Sequence, residues 1–196
     1  MLKSLLIYLI LISYSSLYAF QLDKKLKKDD NKFWSAHYNV PKYSFIGLVG
    51  LSAYEGSQTR LGKTSWKSLD SVVMSQVITE ILKKSTKRNR PRDTNSPNEW
   101  NKNGNSFPSG HVSGMTAMVT PFILEYQDDY PMIHLLWTLP LYQIGGRLKA
   151  QAHWQSDVIG GFLVGFGSGY WASKRDFPLL LYFDGDKSYV GLRYKF

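Results

Sequence analysis

The chain has 196 residues, which is enough for one domain with a sizeable hydrophobic core. It carries 24 Lys and Arg against 15 Asp and Glu, and the formal net charge of +9 favours anionic partners such as phosphate groups or acidic lipid surfaces. The lack of cysteine excludes disulfides and thiolate metal sites, and we expect no nucleic-acid partner because no nucleic-acid-reading motif is present.

The N-terminal residues have the pattern of a secretory signal peptide. Lys3 precedes an apolar run from Leu5 to Ile12, and the residues from Ser13 to Ala19 are small and polar. This pattern predicts a signal peptide over residues 1–19, cleaved after Ala19. An uncleaved anchor has a similar pattern, although the apolar run is short for a membrane span. We therefore expect export to a bacterial periplasm or cell envelope.

Residues 20–177 are predicted to form one helical domain. The Lys-rich stretch from Leu22 to Lys32 has the composition of a solvated leader, and the predicted helices follow at 33–38, 41–54, 65–84, 112–126, 132–144 and 158–172. The later helices fall short of the ~20 apolar residues that a membrane-spanning helix needs. We expect a soluble body with peripheral membrane contact, and integral membrane placement is the alternative.

The helix predicted over 65–84 has a helical repeat of apolar residues. The apolar positions expected to face the core are Leu69, Val72, Val73, Val77, Ile81 and Leu82. The positions expected to face solvent are Asp70, Gln76 and Glu80.

A basic cluster follows that helix and contains Lys83 and Arg90, with Pro91 directly after Arg90. Pro91 prevents the helix from continuing, so the two cations leave the helix end by different routes. They could converge on one anion. The simpler alternative is that they complement the helix dipole and face solvent.

The second cluster is Pro108-Ser109-Gly110-His111, at the start of an apolar helix. Free backbone N–H groups and the helix dipole make such a start an anion site, with His111 placed to donate a proton. The alternative is a Ser helix cap beside an ordinary surface histidine.

The third cluster contains Arg147, His153 and Asp157 and follows the glycine pair at 145 and 146. The glycines are predicted to end one helix, and a new helix is predicted to start near His153. Four-residue spacing then places His153 and Asp157 on one helix face, where the carboxylate would orient the imidazole. A surface His–Asp pair is the alternative.

The order Lys83-x6-Arg90-Pro91, Pro108-Ser109-Gly110-His111, Arg147-x5-His153-x3-Asp157 resembles the type 2 phosphatidic acid phosphatase (PAP2) superfamily. That superfamily also contains bacterial non-specific acid phosphatases and vanadium-dependent haloperoxidases. The resemblance covers residues 83–157 and departs at Gly146, where the family usually has Ser. It implies an all-α, PAP2-like helical bundle with the three motifs meeting at one pocket.

The resemblance also implies roles for the motif residues. His153 attacks phosphorus and forms a phosphohistidine, Asp157 orients His153, and His111 protonates the leaving oxygen. The implied phosphate-binding groups are Lys83, Arg90, Arg147 and the N–H groups of Ser109 and Gly110. Neither a metal nor another cofactor is expected, because these cations supply the charge that phosphoryl transfer needs. His37 and His134 lie outside the motifs and are predicted to be structural.

The resulting hypothesis is a secreted, metal-independent phosphatase for phosphate monoesters or pyrophosphates. Basic charge and the envelope address favour a lipid phosphate. A non-specific acid phosphatase for small soluble esters and a vanadate-dependent haloperoxidase are the alternatives. The leaving group stays open among lipid phosphates, isoprenyl diphosphate, lipid A phosphates, nucleotides and sugar phosphates, and the sequence does not indicate an oligomeric state.

Residues 178–196 are predicted to form a C-terminal β-hairpin. Two β-rich segments flank Asp184-Gly185-Asp186-Lys187, and the last segment alternates apolar and polar residues up to Phe196. It resembles the closing strand of outer-membrane barrels, but two strands cannot close a barrel of at least about eight. The hairpin is expected to pack on the helical body, or alternatively to dock on an envelope partner.

Overall fold

The computed structural model describes residues 22–176 and the backbone of two strands near the C-terminus. The predicted signal peptide therefore lies outside the described residues. The helices are α1 (Lys32–Ser35), which runs into the 3-10 helix Ala36–Tyr38, α2 (Val40–Glu55), α3 (Arg60–Thr86), α4 (Gly110–Tyr126), the 3-10 helix Pro131–Trp137, α5 (Thr138–Lys149) and α6 (Gln155–Ser173). The prediction of a helical body is confirmed.

The C-terminal strands are β1 (Leu181–Asp184) and β2 (Lys187–Val190). They pair antiparallel, with Leu181 opposite Val190 and Asp184 opposite Lys187. The rest of the segment 178–196 lies outside the described residues, so its packing and docking roles stay predictions.

Helix α4 is the centre of the bundle, because it is apolar on most of its surface and is buried along most of its length. Helices α3 and α6 pack on either side of it, and Val72, Met115 and Met118 belong to the apolar core between α3 and α4. The N-terminal ends of α4 and α6 and the C-terminal ends of α3 and α5 carry the predicted motifs.

Small residues allow the helices to approach one another closely. On α3, the Oγ atoms of Ser68 and Ser71 donate hydrogen bonds to the carbonyls of Met118 and Ala117, each over 2.6 Å. On α6, a Cβ on Gly161 would lie 2.5 Å from the carbonyl oxygen of Ser109. The buried hydroxyls have acceptors, so this close packing leaves no uncompensated polar group at those positions.

The predicted buried face of α3 is wrong at several positions. Leu69 and Val72 are buried as expected, but Val73, Val77 and Ile81 are exposed. Asp70, which was expected to face solvent, is fully buried and accepts a hydrogen bond from Arg175 over 3.1 Å. Apolar periodicity misled the prediction because the close contact with α4 uses serine and threonine side chains.

The glycine pair does not end its helix, contrary to the prediction. Helix α5 continues through Gly145 and Gly146 to Lys149, and the chain turns only after it, where Gln151 adopts a φ of 51°. A Cβ on Gly145 would lie 2.5 Å from the ring of Trp34, so the absent side chain serves packing. Helix α6 starts at Gln155, so His153 precedes the helix instead of sharing a face with Asp157.

Within residues 22–176, no helix combines the length and the apolar character needed to cross a membrane. Large apolar side chains are nonetheless exposed on α2, including Ile46 and Val49, and on α3 as described above.

Candidate active site

The three predicted motifs meet at one end of the bundle, around a cavity of about 630 Å³. Helix α3 contributes Lys83, the turn after it contributes Arg90, and the N-terminus of α4 contributes Gly110 and His111. Arg147 near the end of α5 and His153 just before α6 complete this side of the cavity.

Neutral oxygen atoms hold the two cations at the end of α3. The Nζ atom of Lys83 donates to the carbonyls of Asn105 and Pro108, over 2.8 and 2.7 Å. The Nε atom of Arg90 donates to the side-chain oxygen of Asn105 over 2.9 Å. Lys87, at a φ of 46°, ends the helix and turns the chain so that the two cations reach the same loop.

Arg147 is buried against the N-terminal segment of the chain. Its Nη1 atom lies 3.3 Å from Nε2 of His37, and its guanidinium lies 5.4 Å from the ring centre of Tyr38. Within residues 22–176, Lys83, Arg90 and Arg147 have no carboxylate at ion-pair distance. Arg147 is buried and Lys83 and Arg90 are partly buried, so their unneutralised charge makes the cavity favourable for an anion.

The pKa values of these cations reflect the same situation. Burial, followed by the charge of Arg90, lowers the pKa of Lys83 to about 8. Burial lowers the pKa of Arg147 to about 10. The pKa of Arg90 is lowered by burial and by Arg92. An anion in the cavity would raise all three values, because it stabilises the charged forms.

His153 is buried, and its Nδ1 atom lies 2.7 Å from the carbonyl of Ser106, to which it can only donate. The nearest carboxylate oxygen of Asp157 lies 3.6 Å from the same nitrogen. The direct hydrogen bond from His153 to Asp157 that the motif predicted is therefore replaced by one from His153 to the carbonyl of Ser106. This contact fixes the tautomer and leaves Nε2 as the unprotonated nitrogen. Burial lowers the pKa of His153 to about 3, so the ring is neutral at neutral pH.

Asp157 reaches His153 through Ser106. Its Oδ2 atom accepts hydrogen bonds from the hydroxyl of Ser106 and from the backbone N–H of Trp154. Ser106 in turn presents its carbonyl to His153, so Asp157 positions the imidazole indirectly. Burial acts to raise the pKa of Asp157, but the contact with His153 and the charge of Arg88 outweigh burial, and the pKa is lowered.

Arg88 and Asp23 support this network, and neither was identified from the sequence. Arg88 is fully buried and donates to Asp157 and to Asp23, each over 2.6 Å. Asp23 also accepts from the backbone N–H and the hydroxyl of Ser156, each over 2.7 Å. The expectation of a solvated leader is therefore wrong at Asp23. Arg88 lies in a run of several basic residues, and its position in the sequence does not distinguish it from the others.

His111 lines the cavity with a partly exposed ring. Within the described part of the chain, neither of its ring nitrogens has a hydrogen-bond partner, so both are available to a ligand. Burial and the charge of Arg147 lower the pKa of His111 to about 4.

Ser109 and Gly110 differ in their position relative to the cavity. The N–H of Ser109 donates to the carbonyl of Asp157 over 2.9 Å, and Ser109 is fully buried, which contradicts the expectation that this N–H faces a phosphate. Gly110 lines the cavity at the first turn of α4, where helical N–H groups lack partners within the helix. Of these two residues, only Gly110 therefore lines the cavity.

The two remaining histidines have different surroundings. His134 is exposed on the second 3-10 helix. His37, expected to lie outside the site, is buried and contacts Arg147. A Cβ on Gly146 would lie 2.5 Å from Cγ of His37, so the missing side chain at Gly146 makes room for this ring. Within residues 22–176, no group of three or more His, Asp or Glu side chains could hold a metal ion.

A model of the PAP2 superfamily matches residues 65–178, which include every motif described above. The chain belongs to the PAP2 superfamily. The resemblance that the motifs predicted is thus confirmed, and α1, the first 3-10 helix and α2 precede the matched region.

Two relatives were found by comparison with known proteins. Over 138 residues the chain is 29% identical to the lipid A 1-phosphatase of Porphyromonas gingivalis, and the match covers 68% of this chain but 29% of that protein. The crystal structure of Aquifex aeolicus LpxE superposes with a TM-score of 0.57 at 20% identity, covering 73% of this chain and 84% of that one. The second match shows a common fold.

Proposed function

We propose that this protein is a phosphatase that cleaves phosphate monoesters or pyrophosphates through a phosphohistidine at His153. The observation that carries the proposal is the set of three cations, with Arg147 buried and Lys83 and Arg90 partly buried, that line one cavity with the imidazole of His153. Among the described residues, none of the three has a carboxylate at ion-pair distance, and Nε2 of His153 has no hydrogen-bond partner. A phosphoryl group carries the charge and oxygen atoms that this arrangement lacks.

The reaction has two steps in this proposal. The lone pair on Nε2 of His153 attacks phosphorus, the bond from phosphorus to the leaving oxygen breaks, and His111 gives that oxygen a proton. Water then attacks the phosphohistidine, His111 takes a proton from the water, and phosphate leaves. His111 has a pKa of about 4 before substrate binds. The negative charge of the bound phosphoryl group raises this pKa, so His111 is protonated in the complex.

The cations lower the barrier in both steps. Lys83, Arg90 and Arg147 surround the phosphoryl oxygens, whose negative charge is spread out in the transition state. The start of α4, where helical N–H groups have no partners within the helix, lines the same cavity through Gly110 and His111. This charge makes a metal ion unnecessary for the proposed chemistry.

We further propose that the substrate is a lipid phosphate. Beyond the cations, the cavity is lined by the apolar side chains of Pro41, Phe45, Val72, Met115 and Met118. A small soluble ester would leave this surface without a partner, whereas an acyl chain would cover it. The similarity to a lipid A 1-phosphatase points to the same class of substrate.

An exposed apolar rim flanks the cavity, which supports delivery of the substrate from a membrane surface. We define this rim as Ile46 and Val49 on α2 and Val73, Val77 and Ile81 on α3. Four of the five rim residues directly follow a cavity-lining residue in the sequence: Ile46 follows Phe45, Val73 follows Val72, Val77 follows Gln76 and Ile81 follows Glu80. We propose peripheral contact with a bilayer at this rim, on the periplasmic side of the envelope to which a signal peptide would direct the protein.

Replacing His153 with Ala tests the proposed chemistry. We expect phosphate release from p-nitrophenyl phosphate and from phosphatidic acid to fall by at least about a thousandfold, because the nucleophile is lost. The wild type, quenched in alkali during turnover with labelled substrate, should retain phosphate in a linkage that acid hydrolyses.

His134→Ala is the matched control, because this histidine is exposed and does not line the cavity. It should retain the wild-type rate. Near-normal turnover by His153→Ala would rule out the proposed mechanism.

A further inference from the structure

The N-terminal segment contacts Arg147 of the cavity through His37, although this segment precedes the region that the family model matches. His37 is 1% exposed and lies on the 3-10 helix after α1. It is 110 positions away from Arg147 in the sequence, yet its Nε2 atom lies 3.3 Å from Nη1 of Arg147. The mechanism proposed above gives it no role.

We propose that His37 is a positioning residue for phosphate binding: its Nε2 lone pair holds the guanidinium of Arg147 in the orientation that meets the phosphoryl oxygens. The inference rests on the proposed function, because it assigns this task within the same pocket.

The hydrogen bonds of His37 define which nitrogen can accept. Its Nδ1 atom contacts the carbonyl oxygen of Trp34, which can only accept, so Nδ1 carries the proton. Nε2 is then unprotonated and can accept only from a donor, and the guanidinium of Arg147 supplies one. The imidazole thereby constrains Arg147 without neutralising its charge, which stays available to an anion. A carboxylate at the same place would compete with the phosphate.

Two neighbours fix the imidazole itself. Gln143 donates from Nε2 to the carbonyl of His37 over 3.1 Å. Gly146 lies beneath the ring, and a Cβ there would come within 2.5 Å of Cγ and 2.8 Å of Nδ1 of His37. A side chain at position 146 would therefore displace the ring from Arg147. The glycine on α5 and the histidine on the first 3-10 helix form one packing unit.

Tyr38 adds a second constraint on the same guanidinium. Its ring centre lies 5.4 Å from the guanidinium carbon of Arg147, within the range of a cation–π contact. Arg147 is thus held on two sides by the segment that precedes the family region. Its Nε atom is buried without a hydrogen-bond partner among the described residues, so donor capacity remains.

The test compares substitutions of His37 that keep or remove the acceptor. His37→Phe keeps a ring without the lone pair, and His37→Gln keeps a carbonyl oxygen near the position of Nε2. We expect His37→Phe to weaken binding of inorganic phosphate to the full chain about tenfold, by calorimetry, and His37→Gln to stay within about threefold. The KM for p-nitrophenyl phosphate should rise by the same factor, with kcat nearly unchanged. His134→Phe is the control and should match the wild type.

Equal phosphate affinity of His37→Phe and the wild type would overturn the inference. An equal loss in both His37 variants would overturn it too, because ring packing alone would then matter. A wild type that binds phosphate but hydrolyses no ester would contradict the proposed function and leave the His37 test intact. A wild type that binds no phosphate would contradict both.

A second variant covers the case in which His37→Phe does not fold. Gly146→Ala pushes the ring away from Arg147 while His37 itself is kept, so we expect several-fold weaker phosphate binding. In the His37→Gly background, the same change should cause little further loss, because both the ring and the Cβ of His37, which a Cβ at position 146 would meet at 2.6 Å, are then absent. Equal losses in both backgrounds, or no loss from Gly146→Ala, would show that Gly146 acts independently of His37 and would overturn the inference.

Discussion

At the residue scale, the site depends on which atoms are paired before a ligand arrives. The Nδ1 atom of His153 donates to the carbonyl of Ser106, and the Nζ atom of Lys83 donates to the carbonyls of Asn105 and Pro108. These partners are neutral, so they orient the side chains without cancelling charge. The cavity consequently brings positive charge together with the imidazole of His153, whose Nε2 has no hydrogen-bond partner among the described residues.

Lys83 should set the alkaline limit of activity. Its pKa is lowered to about 8, so it is charged at lower pH and loses its charge as the pH rises through about 8. We expect kcat/KM for p-nitrophenyl phosphate to fall over this range, because kcat/KM reports ionisations of the free enzyme. Lys83→Arg should move the fall to higher pH, since a guanidinium keeps its proton there.

Lys84→Arg is the control for this prediction, because Lys84 is the adjacent, exposed residue of the same helix. Its pH profile should equal that of the wild type. A fall at the same pH in Lys83→Arg and the wild type would assign the limit to another group.

At the element scale, the close contact of α4 with α6 decides where the motifs lie. Gly161, Gly165 and Gly169 recur every four residues along α6, and a Cβ on any of them would lie 2.5 Å or less from an atom of α4. This contact places the start of α6 beside the start of α4, so that Ser109 can donate to the carbonyl of Asp157. Packing and site geometry thus depend on the same glycines.

Two glycines of α6 provide a matched test of this packing. A Cβ on Gly165 would lie 2.3 Å from the carbonyl oxygen of Ser113, whereas nothing lies within 4 Å of one on Gly167. We expect Gly165→Ala to lower the free energy of unfolding by about 1–3 kcal/mol, through overpacking. Gly167→Ala should raise it by up to about 1 kcal/mol, because Ala favours helix. Urea denaturation measures both, and equal effects of the two changes would contradict this account of the helix contact.

At the scale of the whole molecule, a positive chain carries an apolar rim beside a cationic cavity. The net charge of +9 attracts acidic lipid surfaces, and the rim offers apolar side chains at the cavity mouth. The arrangement suits a protein that meets an amphiphilic substrate at a bilayer surface, with the phosphate bound among the cations and the acyl chains over the apolar lining.

Polar substitutions on the rim should separate membrane delivery from chemistry. We expect Ile46→Gln combined with Ile81→Gln to lower phosphate release from phosphatidic acid in vesicles by at least about tenfold. The reason is that two apolar side chains that would insert into the bilayer are lost. The rate on p-nitrophenyl phosphate should not change, since neither residue lines the cavity.

Leu135→Gln with Leu141→Gln is the matched control. These side chains are 58% and 59% exposed, against 57% and 59% for Ile46 and Ile81, and neither lines the cavity. The control should keep the vesicle rate. Equal losses in the two double variants would mean that general surface hydrophobicity, and not the rim, determines membrane contact.

The sequence by itself determined the helical body, the family and the charged and histidine residues of the motifs that line the cavity. Helix content follows from local patterns, and each motif keeps its residue types in a fixed order because phosphoryl transfer needs particular charged groups. Lys83, Arg90, His111, Arg147 and His153 could therefore be named without coordinates, and all five line the cavity.

Only the tertiary structure decided which groups pair, because hydrogen bonds depend on distances between segments far apart in the sequence. Ser106 stands between Asp157 and His153, and Asp23 reaches Arg88 across 65 positions. The tertiary structure also decided which face of α3 is buried. Hydroxyls of α3 donate to carbonyls of α4, and apolar periodicity does not reveal such contacts. The contact of His37 with Arg147 was also decided by the tertiary structure. The ring of His37 occupies the space that a side chain at Gly146 would fill, and the sequence does not show that these two positions meet.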